Sequence, residues 1–346
     1  MITFDKVLLD RVKASLMGGR LGDGLGMPWE KKSHEKIMAE TGGRGVVGFS
    51  SPAEREIRDT AGLALGETTD DTQLSDVVVW SLIANRGLNI KHCAWEHVFE
   101  YHRTQFGWGG TTTDAVKEIV AGERDLDKWR PYVQGKGLGN GVAMKVAPLA
   151  LFETVRSEGV DIHTLAERCM ALGKITHPDL RASFAAYAAA LVIGRVANHL
   201  TFSAEDGKNL LEFVISQVEL LELRWQHFQE HEDKVSDRLK RIPVALSSAE
   251  KVRKEIGSGF NSMETAPFTI ATFLRHPNDF RAGVLEAINA GGDTDTHASI
   301  VGAMIGAKVG LEGIPEEWKN FRPEYADALW IGEELFYAAK RAAKTR

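Results

Sequence analysis

Apolar residues repeat at helical spacing along most of the chain, and this periodicity is the feature that most restricts the fold. In the clearest example the steps alternate between three and four residues and so line one helical face: Leu211, Val214, Val218, Leu221, Trp225 and Phe228. Segments that alternate apolar and polar residues are nearly absent, and the candidate at Val46, Val47 and Phe49 is too short to start a sheet. The sequence therefore predicts a mostly or wholly α-helical, all-α fold.

No change in composition divides the chain into parts. Its 346 residues contain no internal repeat, low-complexity tract or Pro/Ser-rich linker, so residues 1–346 are predicted to form a single domain. The chain has 42 Lys and Arg residues against 48 Asp and Glu residues, which gives a formal net charge of −6. This acidic balance argues against a nucleic-acid-binding protein that works through a broad basic surface.

Cysteine usage and hydropathy indicate the compartment. Cys93 and Cys169 are the two cysteines, and they lack the spacing of a disulfide framework or a thiolate zinc site. Charged residues interrupt the N-terminal apolar positions, so we expect no secretory signal. The longest uncharged apolar run lies between Arg181 and Arg195 and is shorter than the roughly 20 residues that span a bilayer. We expect a cytoplasmic protein without a membrane partner, in which this run forms a buried helix.

Two adjacent carboxylates stand at a predicted helix start in residues 68–73 (TTDDTQ), because apolar residues follow at helical spacing. One interpretation is helix capping, since Thr and Asp side chains accept hydrogen bonds from the free N–H groups of a first turn. A cap needs one such residue, whereas Asp70 and Asp71 are two, and without a cation their charges repel each other.

A second acidic motif, residues 291–296 (GGDTDT), lies between two apolar helical patterns. The two glycines are predicted to end one helix, and Asp293 to Thr296 to begin the next. Gly302, Gly306 and Gly310 then recur every four residues, so another element is expected to approach the backbone of this second helix closely.

Together the two motifs supply four carboxylates and several hydroxyls, an oxygen ligand set that suits Mg²⁺, Mn²⁺ or Ca²⁺. An EF-hand is excluded because the sixth and twelfth positions from Asp293 are Ala298 and Met304 rather than Gly and Glu. The HExxH pattern of zinc proteases is missing as well. Spacing alone leaves a metal site and a pair of elaborate helix caps as open alternatives.

Three glycine-rich segments are further candidates. Residues 22–30 (GDGLGMPWE) carry Asp23 and Glu30 and are predicted to form a turn that either holds a catalytic carboxylate near a ligand or simply joins two helices. Residues 107–113 and 137–141 could offer backbone N–H groups to phosphates, although neither follows a convincing strand and no Walker A sequence is present. His177 precedes a proline in a predicted turn.

These segments, in this order, resemble the signatures of the ADP-ribosylglycohydrolases, the family of the dinitrogenase-reductase-activating glycohydrolase. The matching segments are GDGLGMPWE at 22–30, TTDDTQ at 68–73, GNGVAMKVAPL at 139–149, THPD at 176–179 and GGDTDTHASIVGAMIGA at 291–307. The resemblance implies an all-α, orthogonally packed domain whose cleft holds two divalent cations, Mg²⁺ or Mn²⁺, and takes ADP-ribose. It also implies hydrolysis of the glycosidic bond between ADP-ribose and a modified protein side chain, for which we expect an Arg linkage.

The resemblance assigns roles to individual residues. It implies a catalytic role for Glu30, Asp71 and Asp295, with Glu30 as general base or gate. The metal ligands it implies are Thr69, Asp70, Asp71, Asp293, Asp295 and Thr296. The ligand-binding residues it implies are Gly107, Gly109, Gly110, Thr111, Gly139, Asn140, Gly141, Met144 and His177.

The chain departs from the family pattern at two positions, where Lys145 replaces a common Arg and Trp29 is unusually bulky. Residues 31–67 lie outside the signature and are expected to form a lid or specificity loop. Two alternative functions remain: a non-catalytic module that binds ADP-ribose or confers immunity to a toxin, and a hydrolase of a free conjugate such as O-acetyl-ADP-ribose. The complete carboxylate set favours catalysis.

Overall fold

The computed structural model describes residues 4–56, 60–128, 136–199, 203–226 and 233–344. Within these ranges the secondary structure is helical, and the isolated antiparallel bridges Ser33–Gly291 and Gly139–Asn261 are the β-type pairings described. This confirms the predicted all-α class. The α-helices are α1 Phe4–Gly26, α2 His34–Glu40, α3 Asp70–Asn85, α4 Ile90–Arg103, α5 Gly110–Val120, α6 Ala147–Arg156, α7 Ile162–Thr176, α8 Leu180–Asn198, α9 Ala204–Arg224, α10 Val235–Leu239, α11 Ile242–Ala245, α12 Ala249–Glu255, α13 Ser262–Arg275, α14 Phe280–Asn289, α15 Thr294–Val309, α16 Glu316–Lys319 and α17 Asp327–Ala343.

The Ala-rich helix α8 lies at the centre of the core, as predicted, and packs against α6, α7, α9, α13 and α15. Among the described helices it is the one whose length and mean hydropathy would suit a membrane span, and 94% of its apolar window is buried inside the protein. Burial on all sides explains why its apolar residues do not form a single stripe.

Helix α1 packs along α15 through glycines on both helices. A Cβ atom on Gly18 would lie 2.2 Å from the carbonyl oxygen of Gly302, and one on Gly22 would lie 2.1 Å from that of Ala298. Only glycine permits this approach, which confirms the close contact predicted from the glycine spacing of α15.

Two expectations about helix boundaries are wrong. Residues 22–26 are the last turns of α1 rather than a turn between helices, because their glycines serve the packing against α15. The helix predicted to extend to Phe228 ends at Arg224, with Trp225 as its C-cap, and Phe228 lies outside the described residues.

Candidate active site

A cleft of about 420 Å³ opens where the N-terminal ends of α3, α5 and α15 converge. It brings together every predicted site residue except one. The predicted residues that line it are Glu30, Asp70, Asp71, Gly107, Gly109, Gly110, Thr111, Gly139, Asn140, Gly141, Met144, His177, Asp293, Asp295 and Thr296. The exception is Thr69, the N-cap residue of α3, which is fully buried behind the cleft wall.

The two acidic motifs meet at the base of the cleft although they are more than 200 positions apart. Asp70 and Asp71 form the first turn of α3, and Asp293 is the N-cap of α15, as the helix-start patterns predicted. The hydroxyl of Thr296 donates a 3.0 Å hydrogen bond to Oδ2 of Asp71 and so connects the motifs directly.

Glu30 belongs to the same acidic cluster. It follows the short 3₁₀ helix Met27–Trp29, and one of its carboxylate oxygens lies within 4.8 Å of oxygens of Asp293 and Asp295. The structure thus places Glu30, for which the resemblance implied a role as general base or gate, among the carboxylates of the cleft. An oxygen cluster of this kind suits a hard divalent cation.

Burial and mutual repulsion dominate the electrostatics of the cluster. Burial first, and then the charge of Asp295, raises the pKa of Asp70 and of Asp71 well above the ordinary carboxyl range. Burial and Asp293 raise the pKa of Asp295, and burial and Asp295 raise that of Glu30. The carboxylates are therefore costly to keep ionised without a compensating positive charge.

Lys31 is the one Lys or Arg among the described residues that line the cleft. One carboxylate oxygen, Oδ1 of Asp71, is buried without a hydrogen-bond partner in the described part of the chain. A buried acceptor of this kind indicates a missing positive partner. The donor set, its repulsion and this free oxygen together fit a divalent cation.

Asp23 supports the cluster from behind and was not singled out from the sequence as a site residue. Its carboxylate, fully buried on α1, accepts hydrogen bonds from the backbone N–H and hydroxyl groups of both Thr69 and Thr72. It thus caps α3 from another helix, because Thr69 makes no side-chain capping bond itself. Burial and Asp295 raise the pKa of Asp23 to about 7, against the lowering effect of these hydrogen bonds.

Asn140 has a role that its glycine-rich surroundings did not suggest. Its side-chain amide donates to Oδ2 of Asp293 and, over 3.0 Å, to the hydroxyl of Thr265. Both donor hydrogens of the amide are thereby directed away from a ligand. Asn140 lines the cleft, and its hydrogen bonds orient Asp293.

Backbone pairing holds the loops around the cleft together. Lys31 and Lys32 exchange two 2.8 Å hydrogen bonds with Gly292, and the N–H of Asp293 donates to the carbonyl of Ser258. Gly292 has a φ of +81°, and a Cβ atom there would lie 2.0 Å from that carbonyl oxygen. Glycine is required here both for the backbone conformation and for the close approach.

The other wall of the cleft is formed by the start of α5. Gly109 is its N-cap and has no side chain to accept from the first N–H groups of α5, while its own backbone N–H donates to the carboxylate of Asp70. The indole N–H of Trp108 donates a 2.7 Å hydrogen bond to Gln73 and ties the loop to α3. Such a helix N-terminus is suited to an anion.

Lys31 and Phe260 are cleft residues that the sequence did not reveal. Lys31 adopts a φ of +66°, which is unusual for a residue other than glycine, and its ammonium lies 5.8 Å from the centre of the Phe260 ring. The GSGF segment that carries Phe260 has no metal-ligand or nucleophile pattern, so only the fold places it at the cleft.

Over the described residues the protein is all-helical and has an acidic cleft whose carboxylates suit a cation, and comparisons with known proteins give the family. Residues 5–344 match the family model described as ADP-ribosylglycohydrolase. The mouse (Mus musculus) protein named ADP-ribosylhydrolase ARH3 is 30% identical over 340 residues, which cover 90% of this chain and 87% of the mouse protein. An uncharacterised protein of Archaeoglobus fulgidus is 28% identical, with 93% and 96% of the two chains covered.

A solved structure described as an ADP-ribosylglycohydrolase-related protein complex superposes with a TM-score of 0.64 at 20% sequence identity, and the match covers 96% of this chain and 99% of that chain. This similarity supports the fold. The chain belongs to the ADP-ribosylglycohydrolase family, as its motifs predicted, and is accordingly a hydrolase of ADP-ribosyl glycosidic bonds.

Proposed function

We propose that this protein removes ADP-ribose from a modified protein side chain by hydrolysing the glycosidic bond at C1″ of the ribose, with two divalent cations, Mg²⁺ or Mn²⁺, in the acidic cleft. The observation that most supports the proposal is the convergence of both acidic motifs, with Oδ1 of Asp71 buried and unpartnered among the described residues. An Arg linkage is the first to test.

The carboxylates divide naturally between two helix starts. Asp70 and Asp71 of α3 would hold one cation, with Thr69 supporting them from behind, and Asp293, Asp295 and Thr296 of α15 would hold the other. When bound, such cations orient ribose hydroxyls and lower the pKa of a water molecule.

The walls of the cleft suit the rest of ADP-ribose. The N–H groups at the start of α5, around Gly110 and Thr111, would receive the diphosphate in this proposal, because a helix N-terminus favours an anion. Residues 139–141, Met144 and His177 line the same cleft and are proposed to contact the ribose and the diphosphate.

The carboxylates of the cluster also suit glycosidic bond cleavage. The transition state of such a reaction carries positive charge on the ribose ring, which the negative charges of Asp71 and Asp295 stabilise. Glu30 lies beside Asp293 and Asp295, where it can accept the proton of the attacking water.

The test is release of ADP-ribose from Arg-, Ser- and Asn-linked substrates in the presence of Mg²⁺, Mn²⁺ or a chelator. Asp71→Asn and Asp295→Asn should each reduce turnover by at least about a thousandfold, while unfolding remains cooperative. Asp114→Asn is the matched control, because Asp114 is exposed on α5 outside the cleft lining. Full turnover by both cleft variants in chelator would refute the two-cation proposal.

Other outcomes identify the alternatives. Tight binding of ADP-ribose without release from any linkage would indicate a binding module. Release from O-acetyl-ADP-ribose alone would indicate a hydrolase of free conjugates.

A further inference from the structure

A chain of buried polar groups connects the core to the cleft residue His177. Nζ of Lys145, which is fully buried, lies 3.0 Å from Nε2 of His97 and 3.0 Å from the hydroxyl oxygen of Thr176. That hydroxyl oxygen lies 2.8 Å from Nδ1 of His177. Among the described residues Lys145 forms no ion pair, and the hydrogen-bond partners that the structure gives it, His97 and Thr176, are neutral groups.

The contact between His97 and the carbonyl of Cys93, at the core end of this chain of polar groups, determines which group donates in each hydrogen bond. Nδ1 of His97 is 2.7 Å from the carbonyl oxygen of Cys93, and a carbonyl only accepts, so this nitrogen carries the proton. Burial, and then the charge of Lys145, lowers the pKa of His97 well below its ordinary value, which keeps the ring neutral. Nε2 of His97 is therefore an acceptor, and Lys145 donates to it.

The same reasoning extends to Thr176 and His177. The amine of Lys145 has two N–H bonds when neutral and three when charged, so in either state it can donate to His97 and to Thr176 together. Among the described contacts of the Thr176 hydroxyl, Nδ1 of His177 is then the one that can accept its single hydrogen. Burial lowers the pKa of His177 as well, so its ring is neutral and its proton is left on Nε2.

We propose that Lys145 and Thr176 are positioning residues that hold His177 as its Nε2–H tautomer, so that the ring presents an N–H donor to an oxygen of the bound ligand. The identity of that ligand as ADP-ribose rests on the proposed function above. A Cβ atom on Gly141 would lie 2.5 Å from Cε1 and 2.9 Å from Nε2 of His177. The His177 ring is thus held between Thr176 and residues 139–141, with its Nε2 edge toward the residues that line the cleft.

The tautomer can be measured without any ligand by ¹⁵N-histidine NMR of the whole protein. We expect His177 to show a protonated Nε2 and an unprotonated Nδ1, with His97 in the opposite state. Thr176→Val removes the donor to Nδ1 while preserving shape, and should give a mixture of His177 tautomers. Thr154→Val is the matched control, because the buried hydroxyl of Thr154 donates within α6 to the carbonyl of Ala150 and the change should leave the His177 signals unaltered. A protonated Nδ1 on His177 in the native protein would overturn the proposal.

Binding of ADP-ribose then tests whether the tautomer matters. Thr176→Val should weaken the affinity by up to about tenfold, the value of one hydrogen bond. In a His177→Ala background the same change should have no further effect, since the two residues act through one contact. An equal loss in both backgrounds would show that Thr176 acts on stability rather than through His177.

Failure of this inference differs from failure of the proposed function. If the Nε2–H tautomer is observed but ADP-ribose does not bind, the positioning role stands and the ligand is wrong. If ADP-ribose is bound and hydrolysed while His177 carries its proton on Nδ1, the proposed function stands and the positioning role is wrong.

Discussion

Asp23 is the residue through which the stability of the cleft can be tested most directly. Its Oδ2 lies 3.0 Å from the backbone nitrogen of Thr69 and 3.1 Å from that of Thr72, and both hydroxyl groups of these threonines donate to the carboxylate as well. The carboxylate is fully buried. The start of α3, which carries Asp70 and Asp71, therefore depends on one side chain of α1.

Replacing Asp23 by Ala leaves these four donors without their acceptor. The two hydroxyl groups can rotate toward other acceptors, but the two backbone N–H groups are fixed. Each buried N–H left unsatisfied costs about 1–3 kcal/mol, so Asp23→Ala should lower the free energy of unfolding by about 2–6 kcal/mol. Asp23→Asn keeps an oxygen for both N–H groups and removes the repulsion from Asp295, so we expect it within about 1 kcal/mol of wild type.

Urea unfolding followed by circular dichroism, in the presence of a chelator, separates this effect from stabilisation by bound cations. The Asn variant is the internal control, since it differs from Asp23 by little in shape. The reasoning is refuted if Asp23→Ala and Asp23→Asn unfold with free energies within about 1 kcal/mol of each other, because the N–H groups would then have found other partners.

Two further changes test the helix packing and the buried lysine. Gly22→Ala would place a Cβ atom 2.1 Å from a backbone oxygen of α15 and should lower the free energy of unfolding by about 3 kcal/mol or more. Gly62→Ala is the control, because its Cβ atom would meet nothing within 4 Å, and it should have little effect. Thermal melts of both variants and of the wild type measure the difference. Burial lowers the pKa of Lys145 from 10.5 to about 7, so the unfolded state binds more protons above pH 7 and the free energy of unfolding should rise there with pH. Lys145→Met should remove that rise between about pH 7 and pH 9; an unchanged pH dependence in the variant would contradict the assignment.

The acidic motifs were recognisable in the sequence because each combines a helix-start pattern with two carboxylates, where a helix cap needs one. Asp70 and Asp71 precede an apolar helical pattern, and Asp293 and Asp295 follow two glycines, so local rules located both at helix starts. Those rules do not state that two helix starts face each other. The resemblance to a family implied that the two helix starts share one cleft. The hydrogen bond from Thr296 to Asp71 is the direct contact between them.

The supporting residues were harder to predict because their roles depend on partners distant in sequence. Asp23 caps a helix that begins 47 positions later in the chain, Asn140 orients Asp293, and Phe260 reaches the cleft from an unremarkable turn. The sequence shows which chemical group each residue carries. The roles of these residues depend instead on the hydrogen-bond partners and cleft surfaces that the tertiary structure places next to them.

In residues 22–26 the glycine spacing itself indicates a helix rather than a turn. Gly18, Gly22 and Gly26 recur every four residues, as do Gly302 and Gly306, and a four-residue period places glycines on one face of a helix rather than in a turn. Two such faces can pack with their backbones in contact, and α1 and α15 do so. The same contact sets the position of the site, since Asp23 lies beside Gly22 on α1 and Asp295 of α15 lies in the crossing itself, where a Cβ atom on Gly26 would lie 2.6 Å from its Cα. Glycine spacing therefore positions the acidic cluster, although no glycine of the crossing provides a ligand.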